Sequence, residues 1–474
     1  MRAHHRAAHW VAFGLILGTL LVLGFLAVAF RGPLLVATGL DVQGGAPTIS
    51  PTLFPPPSDP AAEEGAGLPL AAPSVSGGVA PNREALEQAI ANLDVSKVVD
   101  PEGRFATRAF AVIDTGTGAV VGAGNAESVL IPASNTKTLT MVAVMNAFQG
   151  DETFATTVLQ PAPGRIVLVG GGDAQLVSAE PAAGVYPRNA STQELAAATA
   201  AVLVAAGETR VALGYDASLF EDGGWAATWP SNYRDQVTQL SALWVDEGRT
   251  GGGRSRTPAL DAAKIFASQL AAEGISVEGE PQPAEGAGTK IARVESTPVH
   301  VQVEQAMQRS NNSFTEALGF QLALATGHPS TFAGSVAAIE EQLTALGIWD
   351  DAAVLRDGSG LSRENRVTAA MLASAMNHIV QEPRLSVILD GLPVAGVTGT
   401  LADRFTDEVS RPARGVARAK TGTLSFVATL SGTTTTADGA VLAYAFMVNG
   451  APDGWAAKVW TDQAVGAITA CGCR

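Results

Sequence analysis

Residues 131–137 have the sequence Ile-Pro-Ala-Ser-Asn-Thr-Lys and lead into an apolar segment, 141–148, with helical spacing. Residues three apart share a helix face, so the Lys137 amine can reach the Ser134 hydroxyl. A desolvated lysine with a lowered pKa can be the base that activates a serine. The stretch therefore predicts Ser134 as a nucleophile and Lys137 as its base. The alternative is a helix-capping serine beside a surface lysine.

A second polar stretch, Ser310-Asn311-Asn312, lies between two segments with helical spacing. A hydroxyl and an amide at such a junction can relay a proton to a leaving group and hold a substrate carbonyl. We assign these roles to Ser310 and Asn312. The alternative is that these residues only cap the neighbouring helices.

A third stretch, Lys420-Thr421-Gly422-Thr423, stands at the expected start of the penultimate strand. A strand edge can pair with an extended peptide, and a glycine permits close approach of another backbone. The charge of Lys420 can anchor a carboxylate and lower the pKa of a nearby ammonium group. The alternative is an ordinary strand start with a solvated lysine.

The order of the three stretches carries more information than any one of them. S-x-x-K, then S-x-N, then K-T-G is the motif set of penicillin-binding proteins and class A β-lactamases. Two of the six lysines in the chain occupy its two lysine positions. Ser310 follows Ser134 by 176 residues, which is more than a β-lactamase-sized domain requires and predicts an inserted domain.

On these motifs the chain resembles the class C low-molecular-mass penicillin-binding proteins, which are D-alanyl-D-alanine carboxypeptidases/endopeptidases. The resemblance covers residues 83–474. Asp357 and Arg363 lie in a Gly/Ser-rich loop, and we expect both residues to support the site rather than to react. The longer strings that carry the resemblance are 168–173, 241–243, 357–363, 365–368, 392–396 and 399–401.

The resemblance implies an α+β fold, in which a penicillin-binding/β-lactamase-like transpeptidase domain is interrupted by an inserted second domain. The transpeptidase-like domain combines an antiparallel sheet with a helical subdomain. We expect the catalytic domain at 83–140 and 257–474 and the inserted domain at 141–256. The catalytic domain is expected to resume with a helix over 259–272.

Strand patterns near both ends of this part support an α+β unit independently of the resemblance. Residues 109–114 and 119–122 predict one hairpin, and residues 426–432 and 440–448 predict another. Helical segments fill the interval, so the sheet is expected to join the N-terminal and C-terminal parts.

The resemblance also implies an acyl-enzyme mechanism on peptidoglycan stem peptides. Ser134 attacks the carbonyl of the penultimate D-Ala while Lys137 takes its proton. Ser310 relays that proton to the departing amine, and Asn312 positions the acyl chain. No metal and no cofactor is implied.

Substrate binding is implied for the third motif. Backbone N–H groups of Ser134 and Thr423 form an oxyanion hole, and Lys420, Thr421 and Thr423 bind the terminal carboxylate, with Gly422 permitting close approach. β-Lactams resemble the D-Ala-D-Ala end of the substrate and are expected to trap Ser134 as an ester that hydrolyses slowly.

Composition excludes several other classes of protein. Asp plus Glu number 45 against 30 Lys plus Arg, a net charge of −15, which argues against nucleic acid or an anionic membrane surface as a partner. The six histidines form no H-E-x-x-H pattern, which disfavours a metallopeptidase. Cys471 and Cys473 are the only cysteines, so they are either two thiols or one small bridged ring.

The N-terminal region predicts a membrane anchor. Residues 10–30 are 21 consecutive uncharged residues, about 31 Å of helix, which is enough to cross a bilayer. Arg2 and Arg6 precede them, so residues 1–31 are expected to be a cytoplasmic tail and anchor with the remainder extracytoplasmic. The alternative is a secreted protein whose signal peptide is cleaved after a small-x-small pattern at 27–29. Nine prolines between 41 and 82 predict an extended linker over 32–82.

Two other functions stay open at the level of sequence. One is a β-lactamase or D-amino-acid esterase with the same acylation chemistry. The other is a non-catalytic module that binds peptidoglycan. The complete motif set argues against the second alternative.

Overall fold

The computed structural model describes residues 78–472. The α-helices of this part are α1 (Arg83–Ala91), α2 (Thr136–Ala147), α3 (Thr192–Ala205), α4 (Pro258–Ala272), α5 (Val299–Gln308), α6 (Asn312–Ala325), α7 (Phe332–Ala345), α8 (Ala369–Gln381), α9 (Ser386–Asp390) and α10 (Gly454–Ala470). Its strands are β1 (Thr107–Asp114), β2 (Val120–Gly124), β3 (Ala155–Ala162), β4 (Arg165–Val169), β5 (Arg210–Asp216), β6 (Arg249–Thr250), β7 (Gly253–Arg254), β8 (Ser276–Val277), β9 (Gln282–Pro283), β10 (Thr289–Glu295), β11 (Arg418–Leu424), β12 (Val427–Thr435) and β13 (Val441–Asn449).

The expected membrane anchor at 1–31 and most of the expected linker at 32–82 lie outside the described residues, as does Cys473. Between residues 78 and 472, no helix is both long enough and apolar enough to span a bilayer.

Five antiparallel strands form the main sheet, in the order β11-β12-β13-β1-β2. Strand β1 pairs with β13 along its whole length, from Thr107 opposite Asn449 to Asp114 opposite Leu442. The two predicted hairpins are therefore present as β1–β2 and β12–β13, and they join the ends of the domain in one sheet. Strand β11 is a further strand at the edge. Residues 420–423 thus lie on the third-last described strand and not, as expected, at the start of the penultimate one.

The alternation of side chains along β13 separates two buried layers. Ala443 and Met447 belong to the core formed with α2, α6, α7 and α8. Leu442 and Phe446 belong to the core on the opposite face, with α1 and α10. Helix α2 lies inside the first layer, where every residue from Thr136 to Met145 is buried. A helix that is largely apolar on all sides has to be enclosed in this way.

A second sheet forms the core of the insertion. Its strand order is β10-β3-β4-β5-β8, and β9 also pairs with β5. Helices α3 and α4 cover this sheet, with Leu195, Phe266 and Leu270 fully buried against Leu168. The insertion therefore has a hydrophobic core of its own.

The structure places the ends of the insertion differently from the expected 141–256, because residue 141 lies inside α2, which is buried in the core of the catalytic domain. Helix α4, which was expected to reopen the catalytic domain, places Phe266 and Leu270 in the core of the second sheet. Strand β10 then pairs with β3 at the edge of that sheet. The insertion consequently occupies the chain between α2 and α5, because helical spacing identifies α4 as a helix but does not say which sheet it covers.

Residues 217–254 of the insertion contain little regular structure and lie against the catalytic domain. Trp229 and Val237 pack with Leu361, and the Thr238 N–H donates to Ser313 Oγ at 3.1 Å. The catalytic domain and the insertion are therefore joined next to the second motif.

Candidate active site

Ser134 lies in a 3₁₀ turn, Ala133–Asn135, directly before α2. Lys137 follows in the first turn of the helix, with its Nζ 3.1 Å from Ser134 Oγ. Ala133 has a φ of 48°, a left-handed conformation that a non-glycine residue keeps only where its surroundings hold it. Asn135 provides such an attachment, because its Nδ2 donates to Thr429 Oγ1 on β12 at 2.6 Å. The first motif is thus fixed to the main sheet.

The Lys137 amine is completely buried and has three oxygen neighbours. Besides Ser134 Oγ, it donates to Asn312 Oδ1 and to the Ser359 carbonyl, each at 2.6 Å. Burial lowers the pKa of Lys137 to about 8, although the nearby carboxylates of Asp357 and Glu316 act in the opposite direction. A lysine in this environment can accept a proton near neutral pH, as a general base must.

Ser310 connects the end of α5 to α6, as the junction pattern predicts, and has a φ of 49°. Its Oγ accepts a hydrogen bond from Lys420 Nζ at 2.7 Å. Lys420 Nζ also donates to the Thr421 carbonyl at 2.9 Å. Burial and the charge of Lys137 hold the pKa of Lys420 well below its ordinary value. The second and third motifs are therefore in direct contact.

Asn312 is the first residue of α6 and is oriented from both sides of its amide. Its Oδ1 accepts from Lys137, and its Nδ2 donates to the Gln236 carbonyl of the insertion at 2.9 Å. Asn311 caps helix α6, because its Oδ1 accepts a hydrogen bond from the Phe314 N–H. Helix capping was the alternative interpretation of this motif. Ser310 and Asn312 are therefore free for contacts across the site.

Strand β11 presents an open backbone edge beside the two serines. The Ala419 N–H on this edge donates to the Pro393 carbonyl. Since alternate residues of a strand direct their N–H groups to the same side, those of Thr421 and Thr423 face the same edge. Gly422 faces the first motif, where a Cβ would lie 2.1 Å from Thr429 Oγ1 and 2.6 Å from the Pro132 carbonyl. Glycine is therefore required at this approach.

A buried carboxyl group that the sequence analysis missed, Glu316, lies one helical turn after Asn312. It accepts hydrogen bonds from the Ser359 N–H at 2.8 Å and the Gly358 N–H at 3.2 Å. Burial and the neighbouring Asp357 raise the pKa of Glu316, against the effect of these N–H groups. The signal was available: an acid four residues after Asn312 shares its helix face.

Asp357 supports the loop that closes over Lys137, as expected for this Gly/Ser-rich segment. Its carboxylate accepts from the Trp229 Nε1 of the insertion at 2.6 Å and from the Ser362 N–H at 2.6 Å. It also accepts from the Gly360 N–H at 2.9 Å. Arg363 donates to the Ser425 carbonyl, which joins the same loop to the turn after β11.

Fold and site together define a class of protein. A serine beside a buried lysine, with a second serine–lysine pair on a sheet edge, belongs to the serine acyl-transfer enzymes of the penicillin-binding and β-lactamase fold. A model of the D-Ala-D-Ala carboxypeptidase 3 (S13) family matches residues 90–253 and 247–470. The chain belongs to this family, which confirms the resemblance found in its motifs.

Individual relatives agree with this placement. The chain is 34% identical over 402 residues to carboxypeptidase DacB of Mycolicibacterium smegmatis, covering 82% of this chain and 84% of the relative. It is 28% identical over 449 residues to a D-alanyl-D-alanine carboxypeptidase of Actinomadura, covering 74% and 79%. Its fold matches the crystal structure of penicillin binding protein 4 from Haemophilus influenzae with a TM-score of 0.66 and 20% identity, over 81% and 98% of the two chains.

Proposed function

We propose that the protein is a serine-type D-alanyl-D-alanine carboxypeptidase/endopeptidase that acts on peptidoglycan stem peptides through an acyl-enzyme. The observation that carries the proposal is the contact of one buried amine, Lys137 Nζ, with both Ser134 Oγ and Asn312 Oδ1. The family match gives the substrate class.

Acylation begins when the neutral Lys137 amine takes the proton of Ser134. As the Ser134 Oγ–C bond forms at the carbonyl of the penultimate D-Ala, the carbonyl oxygen becomes negative. Backbone N–H groups of Ser134 and Thr423 stabilise that oxygen, and one such donor contributes about 3 kcal/mol. The Thr423 N–H faces the open edge of β11, which supports this role.

Departure of the terminal D-Ala requires a proton on its amine. Ser310, held by Lys420, passes its hydroxyl proton to the leaving nitrogen and receives in return the proton that Lys137 took from Ser134, so Lys137 becomes neutral again. The C–N bond then breaks, and the acyl group stays on Ser134. Neutral Lys137 then takes a proton from the water that attacks the ester, and this proton returns to Ser134 Oγ as the ester bond breaks.

Recognition of the substrate end falls to the third motif. Lys420, Thr421 and Thr423 bind the terminal carboxylate, and Gly422 lets the strand lie close to the first motif. The hydroxyl of Thr421 is held by the hydroxyl of Thr400 at 2.9 Å. β-Lactams occupy the same position and acylate Ser134.

The test uses the purified full-length chain, fluorescent penicillin and mass-spectrometric mapping of the labelled peptide. A stable adduct on Ser134 is expected, together with D-Ala release from a stem-peptide substrate. Ser134→Ala should abolish both, whereas Ser268→Ala, on the exposed face of α4, should not. Rapid loss of the adduct would instead indicate a β-lactamase or D-esterase, and no adduct on folded protein would indicate a peptidoglycan-binding module.

The protein is further proposed to be anchored in the cell membrane by residues 10–30, with the catalytic part extracytoplasmic. The length of that uncharged run and the arginines before it support this location. Membrane fractionation of cells that express the chain tests it. Recovery in the membrane pellet after a high-salt wash is expected, whereas recovery of a shortened chain in the medium would indicate a cleaved signal peptide.

A further inference from the structure

The Lys137 amine depends on a loop from outside its own helix. The Ser359 carbonyl, one of its two shortest contacts at 2.6 Å, belongs to the loop 357–360. A carbonyl acceptor helps to set both the direction of the amine and its preference for the charged form. The position of this one peptide group therefore affects the base directly.

The Glu316 side chain holds the loop 357–360 in place through hydrogen bonds. Its two carboxylate oxygens accept from the N–H groups of Gly358 and Ser359, the two peptides that precede the carbonyl contacting Lys137. Glu316 is completely buried, and no lysine or arginine between residues 78 and 472 forms an ion pair with it. Thr140, on the helix of Lys137, secures the same loop by donating to the Gly358 carbonyl at 2.7 Å.

The charges around the amine come from three elements. Glu316 on α6 and Asp357 on the loop favour the protonated form of Lys137, whereas burial disfavours it. Lys420 on β11 is close enough to Lys137 for the charge of Lys137 to lower its pKa. Asp357 is occupied by four N–H donors, from Trp229, Gly360, Ser362 and Asn365. Glu316 is therefore the carboxylate that can be altered with the least change to the loop.

We propose that Glu316 is a positioning residue for Lys137. It holds the loop so that the Ser359 carbonyl meets the amine, and its carboxylate stabilises the ammonium group formed when Lys137 takes the Ser134 proton. This inference rests on the proposed function, because it concerns the same acylation step.

The test is the pH dependence of acylation in Glu316→Gln. The rate of penicillin labelling is measured on both sides of pH 8. Burial and Asp357 raise the pKa of Glu316, but where Glu316 is ionised its charge opposes the effect of burial on Lys137. The substitution removes that opposition, so the pKa of Lys137 falls. The acid limb of the profile should shift downward by about 1 pH unit, and the maximal rate should fall because the amine is a weaker base.

Two further variants separate charge from loop support. Thr140→Val removes a hydrogen bond to the same loop without altering charge, and Glu316→Asp keeps the charge on a shorter side chain. Both should keep the acid limb in place even where the maximal rate falls. Thermal unfolding of each variant identifies any that are not folded.

The measurements distinguish failure of the proposed function from failure of the inference about Glu316. If wild-type protein gives no adduct on Ser134, the proposed function itself fails. If wild-type protein is labelled and folded Glu316→Gln shows an unshifted acid limb, or if Thr140→Val shifts it equally, Glu316 has only a structural role and the inference is overturned.

Discussion

At the scale of single residues, the buried Lys137 amine determines when the site is active. Its pKa is lowered to about 8, chiefly by burial, and only its neutral form can take the Ser134 proton. Acylation of the wild-type protein should therefore rise with pH and reach half of its maximum near the Lys137 pKa. A rate that falls as pH rises through this range would contradict Lys137 as the base.

Lys137→Arg tests the same assignment without removing the positive charge. A guanidinium group stays protonated at any pH used for proteins, so it cannot accept the proton. Loss of general-base catalysis typically lowers the rate about 10²–10⁴-fold. Penicillin labelling should fall by that factor and show no recovery at high pH, whereas recovery would indicate a different base.

Gly422→Ala should damage the site through shape alone. The added Cβ would lie 2.1 Å from Thr429 Oγ1 and 2.6 Å from the Pro132 carbonyl, so β11 must move away from the Ser134 turn. A displacement of about 1 Å can lower a catalytic rate about 10²-fold. The rate of penicillin labelling measures it, with Gly251→Ala as the control, since nothing lies within 4 Å of its Cβ. Equal rates in both variants would contradict the close approach.

At the scale of secondary-structure elements, a buried ion pair attaches the segment after α9 to α10. Arg404 and Asp462 are only 8% and 5% exposed and approach to 2.7 Å. Asp462→Asn would leave the guanidinium buried without its counter-charge, a change that costs about 3–5 kcal/mol. The free energy of unfolding in urea should fall by this amount.

The control for Asp462→Asn is an exposed pair, Arg210–Glu278, whose side chains are 71% and 55% exposed. Glu278→Gln should change the free energy of unfolding by less than about 1 kcal/mol. A similar loss in both variants would mean that burial of the Arg404–Asp462 pair has no special effect.

At the scale of the whole molecule, the insertion takes part in the geometry of the active site. Glu247 of the insertion accepts from Arg309 and, at 3.1 Å, from Asn311 Nδ2. These residues flank Ser310, which is held at a φ of 49°. The Gln236 carbonyl orients Asn312 from the same side. The insertion thereby supports the second motif along its length.

Glu247→Ala should therefore reduce D-Ala release even though Glu247 does not contact the nucleophile. Relaxation of Ser310 by about 1 Å predicts a fall of up to about 10²-fold, with the fold retained. Glu280→Ala, at an exposed position of the insertion, serves as the control. Unchanged turnover in Glu247→Ala would show that the second motif holds its geometry without the insertion.

The motif residues could be selected from the sequence because their spacing reflects local geometry and a recurrent motif set. Lys137 reaches Ser134 because they are three residues apart, across the 3₁₀ turn and the first turn of α2. The hairpins at both ends follow from period-two patterns. The sequence does not link Glu316 and Asp357 to the base, because their effect on Lys137 depends on how α6 and a distant loop pack on α2. No local pattern contains that information.

The boundary of the insertion shows the same limit at larger scale. Helix α4 has an apolar face suited to either sheet, and its partner is decided by long-range pairing such as that of β10 with β3. The anchor and linker remain predictions from the sequence. The sequence thus predicts the helices and strands, but it does not determine which of them pack against one another.

The pairing of β1 with β13 has a consequence for the order of events during synthesis. Residues 107–114 cannot complete their sheet until residues 441–449 have been made, whereas the second sheet needs only residues 155–295. The insertion can therefore fold on the growing chain while Ser134 still lacks Lys420. Long-range strand pairing is also slow. During most of translation, the nascent chain therefore contains Ser134 without the strands that complete its active site. Reactivity toward penicillin should begin only after β11–β13 have been synthesised.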